Sequence, residues 1–549
     1  MPYRNPIIPG FNPDPSICRR GADYFLATST FEYFPGVAIY HSTDLIDWKL
    51  IGHALNRPSQ LSLLVNKAGV GINAPTLRYH KGRWYMTTAI NYMRLKSNEN
   101  DVPAQARGFY VSTDDIFDDT KWTEPIYFDV TGIDQDLFFD DDDTVWYSWR
   151  KPVPGYIGEP GWYNSGVYVV QVDLTTGRAL GPAKLMRQNF ETGNRCCEGP
   201  HIYKRNGWYY LSTADGGTEL DHQQHISRSR VGPMGPWEAG DKGTVNPMLY
   251  NGDDETIQQT GHMDMVEGTD GRWWAVFLAV RPQNGVNSQL GRETFLLPLE
   301  WVDDWPIVNR RQKASIDGPS HVDLPRSAEE ETWTANFQPG RNLAKEGWYQ
   351  PRTPLKADFD LTSHPGSLTI HGGPYTLADD AAISMLLKKQ TCFEGQWALT
   401  LDFEPKREGE EAGVAIWWSK WSYVSLGVQL RAGSGEETEE RELVFRHSDP
   451  KTEDPVFVTT RIEYPQTAKL SILIQAYPDR YLFSIIDALG APVPVGQVPA
   501  SILVRERAYD SYFIGTFFGL YSCGVDGIAT STPAVFSDVS WKGIRAGGK

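Results

Sequence analysis

Five positions of the sequence carry residues that open similar segments, and three of the five residues are acidic. The positions are Asp14, Ala74, Asp134, Glu198 and His262. Hydrolysis of a glycosidic bond needs one carboxylic acid that protonates the leaving oxygen and one carboxylate that activates water or attacks the anomeric carbon. A third carboxylate near the acid raises its pKa through like-charge repulsion. Asp14, Asp134 and Glu198 therefore predict acid–base chemistry of this kind, provided that the fold brings them together.

Each of the five residues begins a repeated unit. An aliphatic residue or methionine follows three or four positions later, and a turn and an aromatic-rich strand come next. The leading positions are separated by 60, 60, 64 and 64 residues. A unit of this size, built from short strands, is slightly larger than the roughly 40 to 50 residues of a common propeller blade. The repeats predict a five-bladed β-propeller over residues 1–318, in which the leading residues of the innermost strands point at one channel.

The sequence changes character after Gly318. Residues 319–335 include a charged stretch of low hydrophobicity and are predicted to be a linker. Residues 336–549 contain alternating runs such as Trp397–Phe403 and Tyr481–Ile486, which are typical of sandwich strands. With 12% aromatic residues, 51 Gly and 37 Pro, the chain of 549 residues is predicted to be all-β: a propeller followed by a β-sandwich.

The composition argues against two classes of partner. A formal net charge of −17 leaves no basic footprint for a phosphate backbone, so no nucleic-acid partner is expected. The longest apolar stretches, such as Trp273–Val280, are much shorter than the roughly 18 to 20 residues that span a bilayer, so no membrane partner is expected. Sugars suit this chain better, because aromatic rings cover the apolar faces of pyranoses.

The N-terminus and the cysteines bear on the cellular location. Residues 1–10 show no charged segment followed by an apolar one, so no signal peptide is visible. Five cysteines, an odd number, do not indicate a disulfide framework. A cytoplasmic location is expected, unless the N-terminus has been trimmed from a secreted protein. The oligomeric state is left open.

Longer motifs surround the same positions and are specific as a set. They are Asn12-Pro-Asp14-Pro-Ser, Gly132-Ile-Asp134-Gln-Asp-Leu-Phe-Phe, Glu198-Gly-Pro, Gly261-His262 and Leu290-Gly-Arg292-Glu-Thr-Phe. Together they resemble glycoside hydrolase family 43, and more narrowly its two-domain β-xylosidase and α-L-arabinofuranosidase members. The resemblance implies a five-bladed propeller fused to a jelly-roll-like sandwich, and hydrolysis with inversion at the anomeric carbon.

The resemblance also implies a role for each acidic residue. Asp14 is the general base that deprotonates the attacking water, and Glu198 is the general acid. Asp134 tunes the acid and orients it.

Further residues are implied in sugar binding. Arg292 and His262 hold the terminal sugar or, for His262, help to organise the channel centre. Phe31 is a wall of the pocket. Phe517 is a sandwich residue that reaches back and narrows the pocket mouth.

Asn73 departs from the family pattern. Two-domain relatives often read Gly-x-Trp-Ala-Pro, whereas this chain reads Gly71-Ile-Asn73-Ala-Pro. A short amide in place of a large ring is expected to open or polarise the pocket, unless Trp149 or Trp162 compensates for the lost ring.

The residues and the resemblance together predict an inverting exo-glycosidase that acts on xylo- or arabinoxylo-oligosaccharides and releases terminal β-D-xylose, with α-L-arabinofuranose as a second sugar. Two alternatives stay open: an α-L-arabinofuranosidase that debranches arabinoxylan, and a carbohydrate-binding protein without turnover. No cofactor is expected to be required. A metal-dependent hydrolase is a weaker alternative, because Asp, Glu and His also bind cations, and a structural calcium ion near His262 is compatible with the sequence.

Overall fold

The computed structural model describes residues 3–545, except for residues 65–67, 93–95, 98–99, 102–104, 154–163, 284–287, 323, 326–327, 432–439, 450–455, 466–468 and 505–512. Throughout this part of the chain the regular elements are β-strands and four single-turn 3-10 helices, at Asp119–Lys121, Asn189–Glu191, Asn309–Arg311 and Ala500–Ile502. None of these helices is long enough to cross a membrane. The all-β prediction is confirmed.

The N-terminal part forms five antiparallel sheets that are the blades of a propeller. Blade 1 consists of Ser16–Arg20, Asp23–Thr28, Gly36–Ser42 and Lys49–Leu55, and blade 2 of Thr76–His80, Arg83–Tyr92, Gln105–Thr113 and Ile126–Thr131, with the small hairpin Lys96–Ser97 and Asn100–Asp101 between its middle strands. Blade 3 consists of Ile133–Phe139, Val145–Pro152, Ser165–Asp173, Arg178–Ala179 and Lys184–Gln188. Blade 4 consists of Cys197–Arg205, Trp208–Asp215, Gln223–Ser229 and Glu238–Ala239, and blade 5 of Gln258–Glu267, Trp273–Val280, Glu293–Val302 and Trp305–Val308.

The first strands of the blades form a closed ring. First strands of successive blades contact one another, and the first strand of blade 5 also contacts that of blade 1. The residues before blade 1 fasten this closure, since the Ile7 amide donates to the Thr294 carbonyl (2.9 Å) and the Tyr3 hydroxyl donates to the Leu296 carbonyl (2.7 Å) on blade 5. The prediction of a five-bladed propeller is confirmed.

Arg78 connects all five blades at the centre of the ring. From blade 2 its guanidinium donates to Asp136 of blade 3 (2.7 Å) and Asp264 of blade 5 (3.0 Å). It also lies 3.0 Å from Nδ1 of His201 on blade 4 and 3.4 Å from Oγ of Ser16 on blade 1. The two carboxylate side chains are 1% and 0% exposed. A buried guanidinium thus hydrogen-bonds to two buried carboxylates and offsets part of the repulsion between them across the channel.

The C-terminal part is a sandwich of two antiparallel sheets. The first sandwich sheet has the order Phe359–Asp360, Leu368–Ile370, Ala534–Ile544, Glu394–Asp402, Leu470–Ala476, Arg480–Ile486 and Pro492–Pro499, with Glu330–Thr334 also paired to Ala534–Ile544. The second sandwich sheet has the order Tyr33–Phe34, Trp348–Pro351, Met385–Lys389, Phe517–Cys523, Glu411–Ser419, Ser422–Arg431, Glu440–Ser448 and Phe457–Glu463. The ring of Phe518 from the second sheet lies 4.9 Å from Trp397 and 4.7 Å from Trp541 of the first. The predicted sandwich is confirmed.

The segment predicted to be a linker, residues 319–335, is not a linker along its whole length. Glu330–Thr334 is a strand of the first sandwich sheet, and its Trp333 ring packs at 5.9 Å from Trp348. Glu330, Thr332 and Thr334 of the strand are exposed, and this polar, charged face makes the sequence resemble a solvated connection.

The two domains share a sheet. Tyr33–Phe34 belongs to the propeller in sequence, yet it pairs with Trp348–Pro351 at the edge of the second sandwich sheet. Lys389 of the same sheet donates to Oδ1 of Asn12 (2.8 Å). Backbone pairing therefore fixes the sandwich to the connection between the second and third strands of blade 1, and a buried hydrogen bond fixes it to the segment before the blade.

We expect Arg78→Met to lower the free energy of unfolding by about 3–5 kcal/mol at pH 7, because it leaves buried carboxylates without their counter-charge. Burial by itself raises the pKa of Asp264, and in the wild type Arg78, together with His201 and the hydrogen bonds from Tyr203 and Ser16, outweighs burial and holds that pKa well below its ordinary value. Without Arg78 the folded-state pKa of Asp264 rises above the unfolded value, so the loss should shrink as pH falls from 7 towards 4.

Urea denaturation at pH 7 and pH 5 measures this difference. Arg310→Met is the matched control, because Arg310 forms a surface ion pair with Glu300 that contributes about 0–1 kcal/mol. An equal loss for Arg78→Met at both pH values would show that unpaired carboxylates are not its cause.

Candidate active site

A cavity of about 570 Å³ lies over the ring of first strands. Its lining includes all five leading residues of the repeats: Asp14, Ala74, Asp134, Glu198 and His262. They are joined there by Phe31, Val70, Asn73, Ile133, Arg150, Arg195, Cys196, Gly217, Thr218, Glu219, His222, Leu278, Arg292 and Phe513. The five leading residues extend from position 14 to position 262 of the sequence, 248 positions apart. The propeller brings all of them into one pocket.

Local backbone distortions aim the leading residues into the cavity. Asp14, Asp134 and His262 all have positive φ angles of 53°, 57° and 52°. The first strands of blades 3, 4 and 5 each contain register shifts at or beside the leading residue. A bulge of this kind turns a side chain away from the regular alternation of the strand, and such distortions are common next to active sites.

Asp14 is buried and held as a carboxylate. Oδ2 accepts a hydrogen bond from the Ser29 hydroxyl (2.6 Å), and Oδ1 accepts one from the Arg292 guanidinium (3.0 Å). Burial by itself would raise the pKa of this carboxyl, but the Arg292 charge and the Ser29 hydrogen bond lower it below its ordinary value. Asp14 is therefore ionised at neutral pH and able to accept a proton from water.

Asp134 and Glu198 form a second acidic pair. Burial and the Asp14 charge raise the pKa of Asp134. Burial also raises the pKa of Glu198; the nearby Arg150 opposes this rise and the Asp134 charge adds to it. The Gly199 amide donates to Oδ2 of Asp134 (3.1 Å), so Asp134 is tied to the strand that carries Glu198. The pair therefore retains a proton at higher pH than ordinary carboxylates do.

Two aromatic rings and Arg292 form one wall of the cavity. The Phe31 and Phe513 rings stack with centroids 5.6 Å apart and an interplanar angle of 14°. The Arg292 guanidinium carbon lies 5.6 Å from the centre of the first ring and 5.2 Å from that of the second. Phe31 and Arg292 thus lie in the cavity as the sequence predicted.

Phe517 does not line the cavity, and the prediction that it narrows the mouth is wrong. Its side chain is 0% exposed and packs at 4.3 Å from Tyr33 and 5.8 Å from Phe11. Phe517 begins a strand of the second sandwich sheet, and that strand directs its side chain into the core. Phe513 precedes the strand and reaches the cavity instead.

Asn73 lines the cavity, and Trp149 does not compensate for the missing ring. Trp149 is buried inside blade 3, where it stacks on Tyr147 (5.6 Å) and Tyr168 (5.9 Å). Trp162 lies outside the described residues. The cavity wall at position 73 is therefore polar.

The channel is filled next to the cavity. Four first strands each contribute one side chain that contacts Arg78, and this residue lies two or three positions after a cavity residue. The four are Ser16 after Asp14, Asp136 after Asp134, His201 after Glu198 and Asp264 after His262. The cavity therefore ends at the Arg78 layer, and a ligand chain has no path through the propeller.

The carboxylates near His262 are engaged by arginines and so offer few free oxygen atoms to a calcium ion, which binds six to eight. Asp136 and Asp264 are engaged by Arg78, and Asp14 by Arg292. Within the described ranges, His, Cys, Asp and Glu side chains form no group of three or more that is arranged to hold a metal.

Several cavity residues escaped the sequence analysis. His222 lies on blade 4 beside the third strand, and its Nδ1 lies 2.9 Å from the Gln259 carbonyl. Burial lowers its pKa to about 4, so the ring is neutral at pH 7. Arg150 lies on the second strand of blade 3. The repeat pattern pointed only to first strands, so it gave no signal for residues that other strands and loops contribute.

Comparisons with known proteins agree with this architecture. Residues 3–306 match the family model described as glycosyl hydrolases family 43, and residues 336–542 match the beta xylosidase C-terminal concanavalin A-like domain. The chain is 34% identical to the non-reducing end alpha-L-arabinofuranosidase BoGH43B of Bacteroides ovatus, over 99% of this chain and 94% of the relative. It is 32% identical to xylosidase/arabinosidase 43B of Humicola insolens, over 96% and 95% of the two chains. The crystal structure of xylan beta-1,4-xylosidase from Bacillus halodurans C-125 superposes with a TM-score of 0.84 at 27% identity, covering 98% of this chain and 100% of the other.

The two phenylalanines should respond differently to truncation. We expect Phe513→Ala to weaken sugar binding about two- to tenfold, which corresponds to ~0.5–1.5 kcal/mol for an aromatic contact, with little change in stability. Phe517→Ala should cost about 3–5 kcal/mol of stability, because it opens a cavity in the core. Calorimetric titration with a monosaccharide product and urea denaturation measure the two effects. The reverse pattern would assign the pocket wall to Phe517.

Proposed function

The chain belongs to glycosyl hydrolase family 43 and is a glycosidase, and we propose that it is an inverting exo-enzyme that releases terminal β-D-xylose from xylo-oligosaccharides, with α-L-arabinofuranose as a second sugar. The observation that carries the proposal is the unequal pairing of three carboxylates in one cavity: Asp14 is bonded to Arg292 and Ser29, whereas the nearest arginine to Glu198 is Arg150 at 3.7 Å. Asp14 is kept ionised, whereas Asp134 and Glu198 together are kept partly protonated. A glycosidase needs an ionised carboxylate and a carboxylic acid at the same time, and inversion is what the resemblance to family 43 implies.

Asp14 is the general base of the proposed reaction. Its Oδ1 is occupied by Arg292 and its Oδ2 by Ser29, and these contacts fix the plane of the carboxylate. A carboxylate oxygen has a second lone pair, which accepts a hydrogen bond from the water that attacks the anomeric carbon. The proton moves from this water to Asp14 as the new C–O bond forms.

Glu198 is the general acid. Its side chain is 19% exposed, against 6% for Asp14, so it lies nearer the solvent and the leaving group. The raised pKa keeps the acid protonated, and its proton passes to the glycosidic oxygen as the C–O bond breaks. Asp134 supports this state by placing a second negative charge beside the acid.

The blind cavity supports exo action. The Arg78 layer fills the channel beyond it, and the Phe31 and Phe513 rings cover one side. A sugar at a chain end enters such a pocket, whereas an internal sugar needs space for the chain on both sides. Arg292, His222 and Asn73 supply polar atoms around that terminal sugar.

A second candidate, an α-L-arabinofuranosidase that debranches arabinoxylan, is favoured by Asn73. A short amide at this wall provides room and a hydrogen-bonding partner for a furanose. One of the relatives with full-length similarity is itself named an alpha-L-arabinofuranosidase. The non-catalytic alternative is less well supported, because a binding protein has no need for three carboxylates held in unlike protonation states.

Xylobiose, aryl β-D-xylopyranoside, aryl α-L-arabinofuranoside and arabinoxylan oligosaccharides distinguish these functions. We expect xylose release from xylobiose and activity that survives EDTA. Arabinose as the sole product would favour debranching, and binding without turnover would favour the carbohydrate-binding protein. Proton NMR of the first product reports the stereochemistry: α-xylose from a β-xyloside indicates inversion, and β-xylose would contradict it.

Two isosteric variants separate the roles of acid and base. Asp14→Asn should lose turnover on all substrates while retaining sugar binding. Glu198→Gln should impair xylobiose far more than aryl glycosides with good leaving groups, because a good leaving group departs without a proton. Stopped assays with both substrate classes give the comparison. Equal losses on both classes for Glu198→Gln would argue against its role as acid.

A further inference from the structure

Four carboxylates and three arginines line the cavity, and one carboxylate, Glu219, is paired with Arg195. The other three carboxylates, Asp14, Asp134 and Glu198, are accompanied by the other two arginines. Arg292 is bound to Asp14 at 3.0 Å. Arg150 faces Glu198 instead, with Nε 3.7 Å from Oε2, and its charge also acts on Asp134. The charge of Arg292 is thus paired with Asp14. The charge of Arg150 acts on both Glu198 and Asp134.

A single hydroxyl fixes Arg150 against the strand of the acid. Arg150 Nε donates to Oγ of Ser165 (2.9 Å). The same hydroxyl donates to the Cys197 carbonyl (2.9 Å) and accepts from the Cys197 amide (3.2 Å). Its one proton and two lone pairs are therefore all used. Arg150 is attached in this way to the residue immediately before Glu198.

The contact between Arg150 and Glu198 lies within the cavity, where both side chains are mostly buried. The two side chains are 17% and 19% exposed, and both line the cavity. Charges in such a site interact more strongly than on an open surface, where water and salt screen them. The guanidinium therefore influences both the orientation and the proton of the acid.

We propose that Arg150 is a positioning residue for the general acid: its guanidinium orients the Glu198 carboxyl and supplies the one positive charge that Glu198 and Asp134 share. The inference rests on the proposed function, in which Glu198 is the acid. With one cation for two carboxylates, the pair keeps a single proton near neutral pH. That proton is the one delivered to the leaving oxygen.

No other group named around Glu198 supplies a free positive charge to its carboxyl. These groups are Asp14, Asp134, Cys196, His262, Arg292 and the Arg195–Glu219 ion pair. Burial lowers the pKa of His262, so its ring is neutral at pH 7. The Glu198 charge and burial raise the pKa of the Cys196 thiol to about 12, so the thiol is neutral as well. Arg292 is bound to Asp14, which leaves Arg150 as the cation that faces the acid.

The pH dependence of kcat/KM on xylobiose, or on the arabinosyl substrate that the wild type prefers, tests this role. Arg150→Met removes the charge that opposes the rise in the pKa of Glu198, so the acid stays protonated to higher pH. We expect the alkaline limb of the profile to move up by about one pH unit or more, since one unit corresponds to only ~1.4 kcal/mol. Arg150→Lys should keep the limb close to its wild-type position.

Arg195→Met is the matched control, because it removes the same charge from the same cavity wall, and Arg195 is paired with Glu219 rather than Glu198. Its limb should move less than that of Arg150→Met. If Arg150→Met lowers the rate equally at every pH and leaves the limb in place, Arg150 has only a structural role and the proposal is wrong. Equal shifts for both variants would also overturn it.

A direct titration keeps the test independent of turnover. Carbon NMR of protein labelled at the glutamate carboxyl carbon follows the Glu198 signal, which is identified by its loss in Glu198→Gln. We expect a higher midpoint in Arg150→Met than in the wild type; the same midpoint would overturn the proposal. If the wild type hydrolyses none of the substrates, the proposed function fails, and this titration still decides the role of Arg150.

Discussion

The buried contact of Arg78 with its partners is the interaction on which the architecture depends. A propeller ring leaves a channel where five first strands meet, and two of those strands place buried carboxylates in it, Asp136 and Asp264. Such charges are costly to bury unless they are paired and hydrogen-bonded. One guanidinium with several donors satisfies both and reaches blades 1 and 4 as well. The same contact closes the channel, so the cavity beside it becomes a blind pocket for a chain end.

The active site also places buried carboxylates beside guanidinium groups. Next to the Arg78 layer, Asp14, Asp134 and Glu198 face Arg292 and Arg150, and these charges do not cancel when all three acids are ionised. Glu219 is paired separately with Arg195. Arg292 bonds directly to Asp14, whereas Arg150 stands at 3.7 Å from Glu198. The closer pairing favours the ionised form of the base, and the looser one leaves a proton on the Glu198–Asp134 pair. The proposed acid and base thus differ in pKa because their counter-charges differ in number and distance.

The sandwich contributes to the cavity wall through its attachment to the propeller. Tyr33–Phe34 extends its second sheet, and Lys389 donates to Asn12, two residues before the base. Phe513 then crosses over to stack on Phe31 beside Arg292. Because backbone pairing holds the two domains together, the Phe513 ring of the sandwich has a fixed position over the pocket of the propeller.

The sequence alone determined the propeller, its number of blades and the leading residues that enter the pocket, because each blade repeats a local pattern at a nearly constant spacing. The family resemblance added Arg292 and Phe31, which lie outside that pattern. Sequence could not choose between Phe513 and Phe517, since the choice depends on where a sandwich strand begins and which side chain it turns into the core. It also gave no indication of Arg78, Arg150 and His222 as partners, nor of the strand within residues 319–335. Those assignments depend on which side chains meet across different blades and sheets, and only the tertiary structure decides such contacts between residues far apart in the chain.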